Sequence, residues 1–340
     1  MDRKDKPATL YDVAAYCGVS YQTVSRVING SPQVSAKTRH RVLEAVKILG
    51  YQPNKAARTL VTRRSSMLEV ITYGSDYYGP SQMMYGVERA ARQAGYRLTF
   101  ASLEGIAPQE IAGVVENLGT RSVDGTVIIA PVEDPIFEQI EALYQGLPFL
   151  KIGTQVDPLT PSVAIDQAQG SRQATQHLID LGHTCIAAIR GPEQWHDANA
   201  RHTTWLATLR ANGLEPGGFE IGNWSAQSGY EAAYRLCSAG IRFTALVVGN
   251  DQMALGAIRA LRECGQRVPD DISVVGFDDI PEAAYFDPPL TTVRQDFAAM
   301  GQQAVAYLVQ IINDPHTPAH QKLLFPKFIE RSSTRAFERS

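Results

Sequence analysis

Between residues 9 and 49, apolar positions recur at helical spacing in three short runs separated by polar or glycine breaks. Leu10, Val13, Ala14 and Cys17 form the first stripe. Val24, Val27 and Ile28 form the second, and Val42, Ala45, Val46 and Leu49 the third. Capping residues stand where these helices must begin. Thr9 with Asp12 three residues on is a capping box, in which each side chain satisfies an orphan backbone N–H of the other's end. Ser20 and Ser35 can cap the next two runs. Gly18 and Gly50 stand where helices end, because glycine takes the left-handed turn at no steric cost. The pattern predicts a first helix from Leu10, a tight Gly18-Val19-Ser20 turn, a short second helix within residues 20–30 and a third over 36–49.

The second helix is the most informative. Its apolar stripe leaves Tyr21, Gln22, Ser25, Arg26 and Asn29 facing outward. All five can hydrogen-bond and none is acidic, which suits entry into a DNA major groove lined with base donors and acceptors. A hairpin serving only as core would need no such face. Helix, glycine turn, helix is the helix-turn-helix pattern. Leu10, Ser20 and Thr23 flank the face and join the candidate DNA-contacting set. Beyond Pro53, residues 54–60 form a possible short helix with Ala56, Ala57 and Leu60 on one side. Seven residues are too few to be stable alone, so this helix should order only on DNA or against a second copy. Asn54, Ala57 and Leu60 complete the candidate DNA set.

Charge sharpens this reading. Residues 1–66 hold 12 Lys/Arg against 4 Asp/Glu, and the remainder 20 against 31, which sums to the overall −3. A basic head on an acidic body points to nucleic acid, with phosphate contacts supplying sequence-independent affinity.

From residue 67 the pattern changes to alternating strands and helices. Strands are expected at 68–72, 96–101, 124–129, 148–152, 162–165, 184–189, 244–249, 272–277 and 290–293. Helices are expected at 81–94, 108–119, 135–145, 167–181, 198–212, 226–239, 251–264 and 296–313. Continuous apolar strands such as Ala245-Leu-Val-Val248 suit buried parallel sheets. The count predicts an α/β body of two doubly wound lobes, divided near Asp166. Domains are expected at 1–53 (DNA-binding head), 54–66 (hinge helix and linker) and 67–340. The first lobe would take about 67–165 and 294–324, the second about 166–293 and 325–340.

No apolar run approaches a membrane span and the charged N-terminus has no signal-peptide pattern, so a cytoplasmic protein without membrane contact is expected. Cys17, Cys185, Cys237 and Cys264 lack metal-ligand spacing. His177, His183 and His202 have no partner pattern. No phosphate-binding glycine loop, nucleophile elbow or zinc motif is present, so the residues suggest neither an enzyme nor a cofactor.

Ligands of open α/β sheets bind beyond the carboxyl ends of strands. Asp166, Asn250, Asp251, Asp278, Asp279 and Gln295 follow strands there, and Arg201 lies early in a following helix. A sugar needs planar amide, carboxylate and guanidinium groups for paired hydroxyls and an aromatic surface for its C–H face. Arg201, Asn250, Asp278 and Gln295, with Trp224 and Phe297, make such a set. Asp251 and Asp279 serve equally well as helix caps. Trp195 and Trp205 read as packing or loop residues.

The run from Thr9 to Asn29, Val34-Ser-Ala-Lys-Thr-Arg39 and Gly50-Tyr-Gln-Pro-Asn54 resemble the DNA-binding head of the LacI/GalR repressor family. The resemblance is dense again at Asn223–Gly229, Asn250–Gly256, Asp271–Asp279 and Pro288–Phe297, and so spans nearly the whole chain. It implies a body like that of periplasmic sugar-binding proteins, crossed three times by the chain, with ligand between the lobes. It implies a repressor of a carbohydrate-utilisation operon, released from a palindromic operator by a small sugar. A nucleobase-type corepressor that tightens DNA binding is the alternative. The partners implied are operator DNA, a sugar or glycoside, and a second copy of the chain, with Leu255 and Phe286 at the dimer face. Asp166, Arg201, Trp224, Asn250, Asp278, Gln295 and Phe297 are the ligand-binding candidates on the second-lobe side. On the first-lobe side the pattern departs. Gly153 stands where a sugar-responsive member has an inducer-contacting Asp, and Ile129 replaces an Asn. The stretch Tyr73–Pro80 is unusually aromatic, which adds Tyr77 as a candidate and puts the identity of the sugar in question. Some members end in a leucine-heptad segment that joins dimers. Residues 328–340 carry no such repeat, so a dimer is expected.

Overall fold

The computed structural model describes residues 8–28, 30–51, 64–103, 123–129, 131, 147–153, 160–240 and 242–337. The chain divides into two compact units at Ser65/Ser66.

The first unit holds α1 (Leu10–Cys17), α2 (Tyr21–Ile28) and α3 (Ala36–Ile48). Both halves of the capping box form: Asp12 N donates to Thr9 Oγ1 at 3.3 Å, and Thr9 N donates to Asp12 Oδ2 at 2.8 Å. Gly18 ends α1 at φ 60°. Ser20 Oγ accepts from Thr23 N at 3.2 Å, and Ser35 Oγ from Thr38 N at 3.3 Å. Val13, Val24, Val27, Val42 and Ala45 are buried together beneath Tyr51. Full burial of each valine contributes about 1.5–3 kcal/mol. So small a core leaves local caps a large share of the head's stability.

The second unit contains two parallel sheets. The first joins β1 (Met67–Tyr73), β2 (Arg97–Leu103), β3 (Gly125–Ile129), β4 (Phe149–Ile152), β5 (Ser162–Ile165) and β11 (Gln321–Leu324) in the order β11-β5-β4-β3-β1-β2. The second joins β6 (Ile186–Arg190), β7 (Phe219–Ile221), β8 (Ala245–Val248) and β9 (Ser273–Val275) in the order β7-β6-β8-β9. β10 (Thr292–Arg294) pairs antiparallel with β12 (Lys327–Ile329) and touches the second sheet through bridges Val275–Thr291 and Asp278–Arg294. The chain passes between the two sheets at 165–167, 294–297 and 324–327. Helices α4 (Tyr78–Gln93) and α9 (Phe297–Asn313) pack on the first sheet. Helices α5 (Gln167–Asp180), α6 (His196–Ala211), α7 (Ala226–Ser238) and α8 (Asp251–Glu263) pack on the second. α7 and α8 approach so closely that a Cβ at Gly256 would lie 1.8 Å from Ala226 O.

The expected strands fall in or overlap the observed ones, with α4 starting at Tyr78, three residues before the expected 81. β7, β11 and β12 were not expected. Each is three or four residues long and none is fully buried, so no apolar run marks them. The expected helices at 108–119 and 135–145, and the 54–60 helix, lie outside the described residues. Asn29, Asn54, Ala57 and Leu60 therefore also lie outside them.

Candidate functional site

The parallel strands of both sheets point their carboxyl ends toward one cleft. β6 leads through Gly191 and Trp195, the N-cap residue, into α6, which carries Asp197 and Arg201. β8 leads into Asn250 at the start of α8. β9 leads to Asp278, and β10 to Gln295. From the first sheet, β1 leads to Tyr77 and Tyr78 at the start of α4. Apart from Gly191, these residues line one pocket.

The polar end of the pocket is one connected network. Arg201 Nε donates to Gln167 Oε1 at 2.9 Å, and Nη1 donates to Gly249 O at 2.5 Å. Gln167 Nε2 donates to Gln295 Oε1 at 2.8 Å, and Gln295 Nε2 to Asp278 Oδ1 at 2.7 Å. Arg201 Nη2 stands 3.7 Å from Asp278 Oδ1. The guanidinium also lies 3.7 Å from the centre of the Phe277 ring, so a cation–π contact steadies it from behind. Asn250 Oδ1 caps α8 by accepting from Met253 N at 2.9 Å, and its Nδ2 donates to Trp224 O at 3.0 Å.

Burial shapes the electrostatics. It pushes the Asp278 carboxyl up to about 6, against the pull of Arg201 and the hydrogen bond from Gln295. Asp197 is likewise pushed up to about 6 by burial, lowered by Arg201 and raised by Asp278. Tyr78 rises to about 12 through burial and the nearby carboxylates, Asp278 first among them. Two carboxylates thus face a single guanidinium.

The other end is aromatic. Tyr77 meets Trp195 at 5.0 Å and 86°, and Trp195 meets Trp224 at 5.6 Å and 72°. Trp224 sits at φ 73° and Asp278 at φ 107°, in the positive region that non-glycine residues rarely adopt. Strained backbone of this kind collects at ligand clamps. Gly191 makes room for the Trp224 ring, because a Cβ there would lie 2.2 Å from it.

Six of the eight ligand-binding candidates converge on this pocket: Tyr77, Arg201, Trp224, Asn250, Asp278 and Gln295. Two do not. Phe297 is buried in the core of the first sheet, edge-on to Tyr78 at 6.1 Å, and stands behind the pocket wall. Asp166 caps α5 through Gln169 N at 2.8 Å and lines a neighbouring, larger cavity. Asp251 and Asp279 are structural. Asp251 accepts from Ile280 N at 2.8 Å and Thr292 Oγ1 at 2.6 Å, while Asp279 is clamped between Arg294 and Arg331. His183 is bonded to Thr244 and Ser273, and His177 to Thr334. Leu255 is exposed, whereas Phe286 packs partly buried against the core of the second sheet. Among the described residues no group of three His, Cys, Asp or Glu could hold a metal.

Trp195 and Asp197 were missed. Both follow the carboxyl end of β6, so the strand-end rule that selected Asn250 reaches them too. Trp195 offered no periodic signal because it precedes its helix.

On the first unit, α2 exposes Tyr21, Gln22 and Arg26, with Ser25 half-buried. Tyr21 stacks on Tyr11 at 4.8 Å and 27°. Val24 and Val27 hold the opposite face in the core. Ser20 and Thr23 hydroxyls bond each other at 2.9 Å at the start of α2, and Leu10 packs partly buried against the same core.

The model for bacterial regulatory proteins of the lacI family matches residues 9–54, and that for a periplasmic binding protein-like domain matches 175–334. The lactose operon repressor of Escherichia coli (strain K12) is 38% identical over 331 residues, which cover 97% of this chain and 92% of that protein. The chain belongs to the lacI family of bacterial regulatory proteins. It is a LacI-family DNA-binding transcriptional repressor and not an enzyme. The crystal structure of the lac repressor dimer bound to operator and the anti-inducer ONPF is similar to it at a TM-score of 0.88 and 38% identity, covering 97% of this chain and 100% of that one. A complex of the transcriptional regulator CelR with cellobiose is similar at 0.73 and 32%, covering 96% and 99%. Among the described residues no helix of this LacI-family repressor is long and apolar enough to cross a membrane.

Proposed function

We propose that this LacI-family repressor acts as a homodimer on a palindromic operator of a carbohydrate-utilisation operon, and that a sugar bound in the Arg201–Asp278 pocket releases it. The observation that carries the reading is the pairing of that hydrogen-bond network with an aromatic wall in one cleft. Guanidinium, carboxylate and amide groups match vicinal hydroxyls, and indole faces match the C–H face of a pyranose. The similarity to a lactose operon repressor and to a regulator solved with cellobiose supports a sugar ligand. The lac repressor dimer on operator supports a two-fold assembly, which suits a palindromic site.

The chemistry assigns base contacts to Tyr21, Gln22 and Arg26 and phosphate affinity to the basic head. Leu60, from the hinge, is assigned the minor groove. Inducer and operator then favour different arrangements of the dimer, and coupling is reciprocal: operator weakens sugar by the factor with which sugar weakens operator.

The test is fluorescence anisotropy on operator sequences selected from random DNA, with sugars and nucleobases titrated in. Release by a sugar supports the reading. Tightening by a nucleobase, with no response to sugars, overturns it in favour of a corepressor.

A further inference from the structure

Helices α7 and α8 each cross between parallel strands of the second sheet, so they run side by side in the same direction. Small residues fix their register. A Cβ at Gly229 would lie 2.1 Å from Met253 O, and one at Gly256 2.7 Å from Tyr230 N. Cys237 stands seven residues beyond Tyr230 and Cys264 eight beyond Gly256, about two turns further along each helix. The register therefore brings the two sulfurs together where both helices end, and the Cys237 thiol donates a hydrogen bond to Cys264.

Both cysteines are half-buried and line one groove, whose walls include the exposed Tyr234, Ser238 and Arg242. A small solute can reach them from water. One half-buried cysteine would be a small apolar filler; two in contact beside a groove make a dithiol. The pair lies well away from the sugar pocket. Asn250 caps the start of α8 and Cys264 its end, with 13 helical residues between them, so about 20 Å separates the two ends.

We propose that Cys237 and Cys264 are a reversible dithiol–disulfide site, oxidised by hydroperoxides, that fastens the ends of α7 and α8 together. Cys264 reacts first, because burial and the hydrogen bond to Cys264 push the Cys237 thiol up to about 12 and keep its proton in place. The Cys264 sulfur attacks one peroxide oxygen. An S–O bond forms, the O–O bond breaks, and the departing hydroxide takes up the thiol proton as water. The Cys237 sulfur then attacks the Cys264 sulfur. The S–S bond forms, the S–O bond breaks, and hydroxide leaves with the Cys237 proton as a second water. Together the two thiols lose two electrons, and the peroxide is reduced. Where DNA is read, the thiol pool keeps cysteines reduced, so such a bond is transient and redox-responsive. While it lasts, it closes the chain from 237 to 264 into a loop, which restricts the unfolded state and stabilises the folded one.

The test treats the full-length repressor with a small excess of hydrogen peroxide, then alkylates and digests it without reductant for mass spectrometry. Titratable thiols should fall from four to two, and one linked peptide pair should join Cys237 to Cys264. Dithiothreitol should restore all four. The oxidised protein should melt roughly 5 °C or more above the reduced one. Cys237→Ser should leave Cys264 as a sulfenic acid that dimedone traps, whereas Cys264→Ser should leave Cys237 unmodified at the same dose. Both variants should keep wild-type operator affinity, which shows that they fold. Survival of four thiols would overturn the proposal, as would a bond to Cys17 or Cys185 or one between two chains. Dimedone on Cys237 in Cys264→Ser would overturn the order of the two steps. A bond formed with no rise in melting temperature would overturn the fastening of the helices.

Discussion

Arg201 and Asp278 face each other at 3.7 Å inside the pocket, yet each makes its shorter bonds to other groups. Arg201 is held by Gly249 O and Gln167, and Asp278 by Gln295. The pair is therefore anchored from behind and separated by more than hydrogen-bond length in front. Such an arrangement suits two neighbouring hydroxyls, one accepting from the guanidinium and one donating to the carboxylate.

Removal of either group should uncouple repression from sugar. Arg201→Ala and Asp278→Asn should each keep operator affinity while losing sugar affinity by roughly tenfold to a hundredfold, as expected for about 1.5–3 kcal/mol per charged hydrogen bond. Asparagine suits position 278 because it tolerates positive φ better than most residues. Anisotropy titrations with and without sugar check this; normal release in both variants would place the ligand elsewhere.

Asp197 should make stability depend on pH. Its carboxyl is pushed from 3.8 up to about 6 in the folded protein. The folded state therefore holds the proton more tightly than the unfolded chain across that window, and stability falls as pH rises through it. Above about pH 6 the loss is complete and constant. Asp197→Asn should raise the melting temperature at pH 7.5, and the gain should shrink steadily as pH is lowered toward 4. A gain independent of pH would be the opposite result.

Arg26 should carry base discrimination. It is exposed on α2, opposite the buried Val24 and Val27. Arg26→Ala should relax the preference at one half-site base pair by about 1–3 kcal/mol, with the other positions little changed. Competition against operators altered one base pair at a time reads this out. An unaltered profile would remove Arg26 from the recognition set.

Gly256→Ala should destabilise the second unit although it adds only one methyl group. The new Cβ would lie 1.8 Å from Ala226 O and 2.7 Å from Tyr230 N, both backbone atoms of α7. Backbone cannot swing aside as a side chain can, so the helices must separate, at a cost of about 1–3 kcal/mol or more. Urea denaturation followed by circular dichroism would show the lowered midpoint.

Much of this protein was legible locally. The stripes of α1 to α3, the Thr9–Asp12 box, the Ser20 and Ser35 caps and the Gly18 turn all depend on neighbours within a few residues. So did the apolar runs of β3, buried throughout, and of β8, buried except for a half-buried Val247. Arg201, Asn250, Asp278 and Gln295 were found because strand ends in parallel sheets gather on one side, which is a rule of topology. The tertiary structure alone decided which strand-end residues share a wall. It turned Phe297 into the core of the first sheet and sent Asp166 to the neighbouring cavity. It brought Trp195, which caps α6 on the second sheet, against Tyr77, which caps α4 on the first. Local patterns report burial along one element, whereas a pocket is made by residues far apart in sequence. Their meeting depends on how two sheets, linked by three short crossings, turn their strand ends toward each other.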